Sequence, residues 1–195
     1  MSNPVIDRTA PTEHPVIDVL AARWSPRAFN NQNPIDEAKL ATALEAARWS
    51  PSAYNQQPWR FIIARRDTAL HAQIVDSLIG FNQTWAGSAA VLVVAVAETA
   101  TAEGTPIPHA LYDVGQAVAH FSVQAHHDGL VVHQMSGFDP EVVREFADLE
   151  PRFTAATVLA VGELGDIDAL SDALRERETA PRVRRPMAET VILSA

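Results

Sequence analysis

The sequence predicts one domain that mixes helices with strands, and three observations carry that expectation. Its 195 residues, 47% of them hydrophobic, fit one domain or one compact unit with excursions. Ala90 to Val96 is an unbroken apolar run, the pattern of a strand buried on both faces. Two further segments, Leu40 to Ala47 and Leu111 to Ala125, repeat apolar residues at helical spacing.

Taken in order, residues 1–13, with Pro4 and Pro11 among polar neighbours, read as an arm with little structure of its own. Val16 to Ala22 is a short helical stretch that places Ile17, Leu20 and Ala21 on one face and stops at Arg23. Pro34 and Asp36 open an amphipathic helix over 36–50, carried by Leu40, Ala43, Leu44 and Ala47. Trp59 to Ala64 mixes aromatic and β-branched residues as a strand does. A helix over His71 to Leu78 separates it from the Ala90 to Val96 strand. His109 to Asp128 is the long helix, with Leu111, Val114, Val118, Phe121 and Ala125 on its apolar stripe and Gly129 as its stop. Strands at Val131 to Gln134 and Ala156 to Val161 flank a helix at Pro140 to Ala147. Residues 165–195 form an extension: a charged helical piece through Leu174 to Arg177, a basic run, and a β-prone segment from Thr190 to Leu193. That last segment pairs either with another subunit or with the chain's own sheet. No repeat or linker divides the chain.

Composition narrows the chemistry. A formal net charge of -9 gives no electrostatic basis for general nucleic-acid binding, although a local cationic pocket for a small anion stays open. With no cysteine, thiolate metal sites and cysteine nucleophiles are excluded, so redox chemistry must come from a bound cofactor. Neither a signal peptide nor an apolar run long enough to span a bilayer is expected, and a cytoplasmic location is the default. The glycines make no G-x-G-x-x-G, P-loop or G-x-S-x-G pattern. His120, His126, His127 and His133 lack a carboxylate at ligand spacing, so surface or core roles suit them better than a metal.

Two segments carry specific chemistry. Arg23-Trp24-Ser25-Pro26-Arg27 places two guanidinium groups around a hydroxyl just past a helix, a donor set that matches phosphate oxygens. A solvated basic loop, with Arg23 as a helix C-terminal charge, explains the same residues. Ser50 to Trp59 packs amides and hydroxyls between prolines, which suits the polar edge of a heterocycle and also an ordinary polar loop.

Together these segments resemble the nitroreductase family, which has R-x-S-x-R-x-F followed some twenty residues later by P-S-x-x-N-x-Q-P-W. His127 to Leu130 with Ser136 to Asp139, and Arg182-Val183-Arg184-Arg185-Pro186, agree in order and spacing. The resemblance implies a three-layer α+β fold with a central, mostly antiparallel sheet, assembled as an intertwined homodimer that binds one FMN at each of two interface sites. By position, Arg23, Trp24, Ser25, Arg27, Arg182 and Arg184 would hold the phosphate and nearby flavin edge. Pro51, Ser52, Ala53 and Asn55 would come from the opposite subunit, and the backbone at Ser136 and Gly137 would face flavin N5. Asn82 would sit near the pyrimidine edge and Asp113 would approach from the partner. No Lys stands in the Asn82 to Trp85 stretch, where many members carry one to stabilise the anionic reduced flavin. The implied activity is ping-pong hydride transfer from NAD(P)H to a small-molecule acceptor: a nitroaromatic, a quinone or an activated enal or aldehyde. Trp49, Phe81, Trp85 and Phe138 are candidates to wall the pocket. A flavin-sequestering or sensing protein with little turnover is the alternative.

Overall fold

Four antiparallel strands in the order β1-β2-β4-β3 form the middle layer: β1 (Trp59–Arg65), β2 (Val91–Glu98), β3 (Val131–Met135) and β4 (Phe153–Gly162). The computed structural model describes residues 7–193, so residues 1–6 of the expected arm and the last two of the extension lie outside the described residues. Side chains of β2 alternate between two apolar layers, as the pleat requires. Val91, Val93, Ala95 and Ala97 pack with α2 (Glu37–Arg48) and α4 (Ala110–His127). Leu92, Val94 and Val96 pack on the opposite face with Ile74 of α3 (Ala69–Ser77), Val143 of α5 (Pro140–Phe146), Phe29 and Trp85. The result is the expected three-layer α+β architecture. β4 carries one extra residue, Ala156, between the partners of Ala95 and Val96, which bulges the strand without changing the faces of β2.

Local chemistry sets the helix ends. The Asp36 side chain accepts from the Ala38 and Lys39 N–H groups at 3.0 and 3.2 Å, and Asp139 does the same for α5 ahead of Pro140. At the end of α4, Gly129 has φ +84°, and the Gly129 and Leu130 N–H groups reach the His126 and Ala125 carbonyls.

Three expectations are corrected. α1 spans only Asp18–Ala22 and buries nothing: Ile17 and Leu20 stand exposed, since no element of the described chain covers that face. Leu111 likewise points outward from α4, whose buried stripe runs through Ala110, Val114, Ala117, Val118, Phe121 and Ala125. The β-prone tail joins no strand of the chain's own sheet; it follows a short helix, α7 (Met187–Thr190), and Ile192 and Leu193 are almost wholly exposed. Helix α6 (Asp172–Thr179) accounts for the charged piece of the extension.

Past β4 the chain folds back on the Arg23 to Asn30 segment. The Asn30 N–H donates to the Glu163 carbonyl, the Gly165 N–H donates to the Ala28 carbonyl, and Phe29 bridges to Leu164. A Cβ on Gly165 would stand 2.4 Å from the Phe29 carbonyl carbon and oxygen, so only glycine permits this approach. Gly165→Ala is expected to force the two backbones apart and cost roughly 1–3 kcal/mol, read by urea unfolding.

Candidate functional site

The two ends of the chain meet. Arg23 sits just past α1, and the Arg182 guanidinium donates to the carbonyls of Arg8, of Ala21 at 2.7 Å and of Arg23 at 2.9 Å. Arg8 in turn lies over the Trp24 ring and donates to the Ala180 carbonyl at 2.8 Å. These contacts gather Arg8, Arg23, Arg182 and Arg184, and among the described residues none of the four pairs with a carboxylate. Burial first, and then the charge of Arg184, lowers the Arg23 pKa from its ordinary value; Arg182 is lowered by burial and by its three arginine neighbours. The roles divide. Arg182 is engaged by backbone and holds the ends together, whereas among the described residues Arg23 makes only a 3.4 Å contact to Ser25 Oγ and Arg184 donates only to the adjacent Val183 carbonyl. Arg23, Arg182, Arg184 and Arg185 line a cavity of about 880 Å³ between the arm and the extension.

Arg27 stands apart from this group. Its N–H donates to both oxygens of Glu178 on α6, at 2.8 and 3.1 Å, the Ala28 N–H donates to Oε1 at 3.2 Å, and its Nη1 lies 3.6 Å from Oε2. It lines a second cavity, of about 970 Å³, with Phe29, Gln83, Trp85 and Leu174. His133 of β3 lies within the fields of both Arg23 and Arg27; its Nδ1 is 2.9 Å from the Pro26 carbonyl and its ring packs on Trp85 at 4.5 Å. Burial is the main cause that drops its pKa to about 4, with the two arginines adding to it, so it is neutral at pH 7.

Four residues along the extended chain from His133 lies Gly137. Asn82 Nδ2 donates to the Gly137 carbonyl at 3.2 Å and the Ile79 N–H donates to the same oxygen at 2.9 Å, so Asn82 and the Ser136–Gly137 turn form one unit. A Cβ at Gly137 would stand 2.8 Å from Asn82 Nδ2. With its carbonyl fixed from behind, the partly exposed Gly137 turn holds a backbone N–H that donates to nothing among the described residues.

The Pro51 to Gln57 loop is built by α4 of the same chain. The Ala53 N–H donates to buried Asp113 at 3.1 Å, Ser50 Oγ is 2.7 Å from His120 Nδ1, and Ser52 Oγ accepts from the Gln57 N–H at 3.0 Å. Tyr54, Asn55 and Gln57 all have φ near +50°, a conformation that costs side-chain-bearing residues energy and persists because these bonds impose it. Asp113 and the loop therefore travel together on one chain. They do not meet the arginines of that chain: Asp113 and His126, which feels Arg23 and Arg182, are 13 helical residues apart, roughly 20 Å.

Of the aromatic candidates, Trp85 and Phe138 are core residues, Trp49 is exposed and bonded to Glu45, and Phe81 lies 4.2 Å beneath the Arg177 guanidinium. Sequence reasoning missed Glu178 and the Arg177–Phe81 contact. A glutamate in a charged helical piece looks like any solvated charge; the one available signal was its i+4 spacing from Leu174, which turns out to be buried on the same face.

Comparison with known proteins bears on this arrangement. The model of the Nitroreductase family matches residues 20–83. An uncharacterized 15.4 kDa protein of Mycolicibacterium smegmatis is 31% identical over 141 residues, 64% of this chain and 88% of that protein. The crystal structure of an oxidoreductase containing FMN is 35% identical, with a TM-score of 0.88 over 98% of this chain and 96% of its own. A structure from Desulfovibrio desulfuricans in complex with FMN shares the fold, with a TM-score of 0.71 at 22% identity over 94% of this chain and 99% of its own.

Proposed function

The chain belongs to the nitroreductase family, and from that premise we infer that it is an FMN-dependent oxidoreductase using NAD(P)H to reduce an electron-poor small molecule. The observation that carries this reading is the cluster of Arg8, Arg23, Arg182 and Arg184, which forms no ion pair among the described residues; Glu13, the one carboxylate lining the same cavity, accepts from the Met187 N–H instead. Such a cluster repels itself and gains from an anion. A phosphate fits it, because Arg23 and Arg184 keep free donors and Ser25 adds a hydroxyl beside them. The relative that is 35% identical over nearly the whole chain contains FMN, which supports the same ligand.

Bound here, FMN would supply two-electron hydride chemistry between the nicotinamide and a nitroaromatic, a quinone or an activated enal or aldehyde. The chain's own residues place and polarise. The Gly137 N–H, which meets no acceptor among the described residues, would be offered to the flavin ring, and Asn82, fastened to the Gly137 carbonyl, fixes the turn that presents it. Arg27, lying apart from the phosphate arginines, is assigned to the flavin edge. Pro51, Ser52, Ala53 and Asn55, with Asp113 behind them, would reach the site from a second copy, because roughly 20 Å of α4 keeps them from the arginines of their own chain. The exposed apolar side chains of Ile17, Leu20, Trp49, Leu111, Val183 and Ile192 support that homodimer.

Anaerobic addition of NADPH or NADH to the FMN-loaded protein tests the reading. The flavin absorbance should bleach, and an acceptor should restore it. If neither nicotinamide bleaches it, the oxidoreductase reading fails and a flavin-holding protein takes its place.

A further inference from the structure

Glu178 is the buried acid that nothing above uses. Its side chain has no exposed surface, and a carboxylate so enclosed is costly unless its oxygens are engaged. They are engaged by the arginine segment: the Arg27 and Ala28 N–H groups on one side and the Arg27 guanidinium on the other. At 3.6 Å the side-chain pair is looser than a close charge-assisted bond, and the Arg27 side chain remains 22% exposed, so part of its charge still faces outward. One residue earlier on α6, Arg177 covers Phe81, the neighbour of Asn82. Helix α6 thus spans from the Arg27 segment to the unit formed by Asn82 and Gly137.

We propose that Glu178 is a positioning residue: it fixes Arg27 and offsets part of its charge, and so sets how strongly the site favours reduced over oxidised FMN. The proposal rests on the FMN reading given above. Reduction adds negative charge to the flavin, and a cation beside it stabilises that charge. A carboxylate behind the cation weakens the field. No lysine is present in the Asn82 to Trp85 stretch, where the nearby cation is Arg177 over Phe81, so the Arg27–Glu178 pair adds its field to that of Arg177.

The two partners must act with opposite signs. Glu178→Gln keeps an oxygen for the Arg27 and Ala28 N–H groups and removes the charge; the ratio of affinities for reduced over oxidised FMN should rise about tenfold. For a two-electron couple that is an upward shift of about 30 mV in the midpoint potential of the bound flavin. Arg27→Met leaves the carboxylate without its cation, and the potential should fall by a similar amount. A residue serving only to hold the fold would lower the melting temperature and leave the potential of the remaining bound flavin where it was. Should Glu178→Gln not fold, Arg27→Met decides alone, and the absence of a downward shift overturns the proposal. Wild-type protein that binds FMN, with potentials unmoved or moved in one direction by both changes, overturns the proposal and leaves the FMN reading standing. Wild-type protein that binds no FMN brings down both.

Discussion

Replacing Arg23 and Arg184 together by alanine should weaken FMN binding roughly a hundred- to ten-thousand-fold while leaving riboflavin binding nearly unchanged. On the proposed assignment each would contribute a charge-assisted contact to phosphate, on the order of 1.5–3 kcal/mol. The low end of the range is favoured: the Arg23 pKa is lowered by burial first and then by the charge of Arg184, so the two side chains repel each other in the absence of the anion and removing one relieves the other. Riboflavin lacks the phosphate and so serves as the internal control. Arg182→Ala should behave differently. Its guanidinium is spent on three backbone carbonyls, so its loss should lower thermal stability and loosen the join between the chain ends. Fluorescence titration of both flavins against each variant separates these outcomes; a double variant that loses FMN and riboflavin equally would remove the phosphate assignment.

How far the sequence reaches is clear from particular residues. The β2 run needed no partner to be recognised, since seven consecutive apolar residues admit few alternatives to a doubly buried strand. The helices that pack on the sheet declared themselves by Leu40, Ala43 and Ala47 and by Val114, Val118 and Phe121, because burial on one face leaves a periodic trace. Leu111, Ile17 and Leu20 fit the same pattern and are exposed in the chain, because periodicity reports an apolar face and is silent on what covers it. The tail shows the opposite failure: Thr190 to Leu193 has β-prone residues, yet it pairs with neither edge strand, β1 or β3, and propensity without pairing produces no strand.

The site was legible where local chemistry was concentrated and illegible where it was assembled. Arg23, Ser25 and Arg27 stand within five residues, but their division of labour depends on partners 150 residues or more away. Arg182 pins the Arg23 carbonyl, and Glu178 takes hold of Arg27. Likewise Asn82 and Gly137 were named separately, and only the turn of the chain at Leu78 and Phe138 makes them one unit. No short-range pattern encodes a contact of that kind, because any carboxylate or amide of suitable reach serves equally well.

His133 carries the second large effect, on stability against pH. Its pKa is pushed down to about 4 by burial above all, with Arg27 and Arg23 contributing, whereas in the unfolded chain it returns to about 6.5. Between those values the unfolded state binds the proton and the folded state does not, so stability rises with pH across this window and is lost as pH falls through it. The stabilising contribution is full above pH 6.5 and gone near pH 4, and it is on the order of 3 kcal/mol. His71 and His126 are lowered in the same direction, so the protein as a whole should lose more than this. The carboxylates whose pKa values are lowered, among them Glu37 and Glu45, titrate below their ordinary range and add to the loss only toward the acid end. Urea unfolding of wild type and His133→Gln at pH 7 and pH 4.5 isolates the residue, since glutamine cannot take the proton. The variant should lose markedly less stability between the two conditions. Equal losses would mean that His133 titrates normally and that the arginines and the Trp85 ring around it do not hold it neutral.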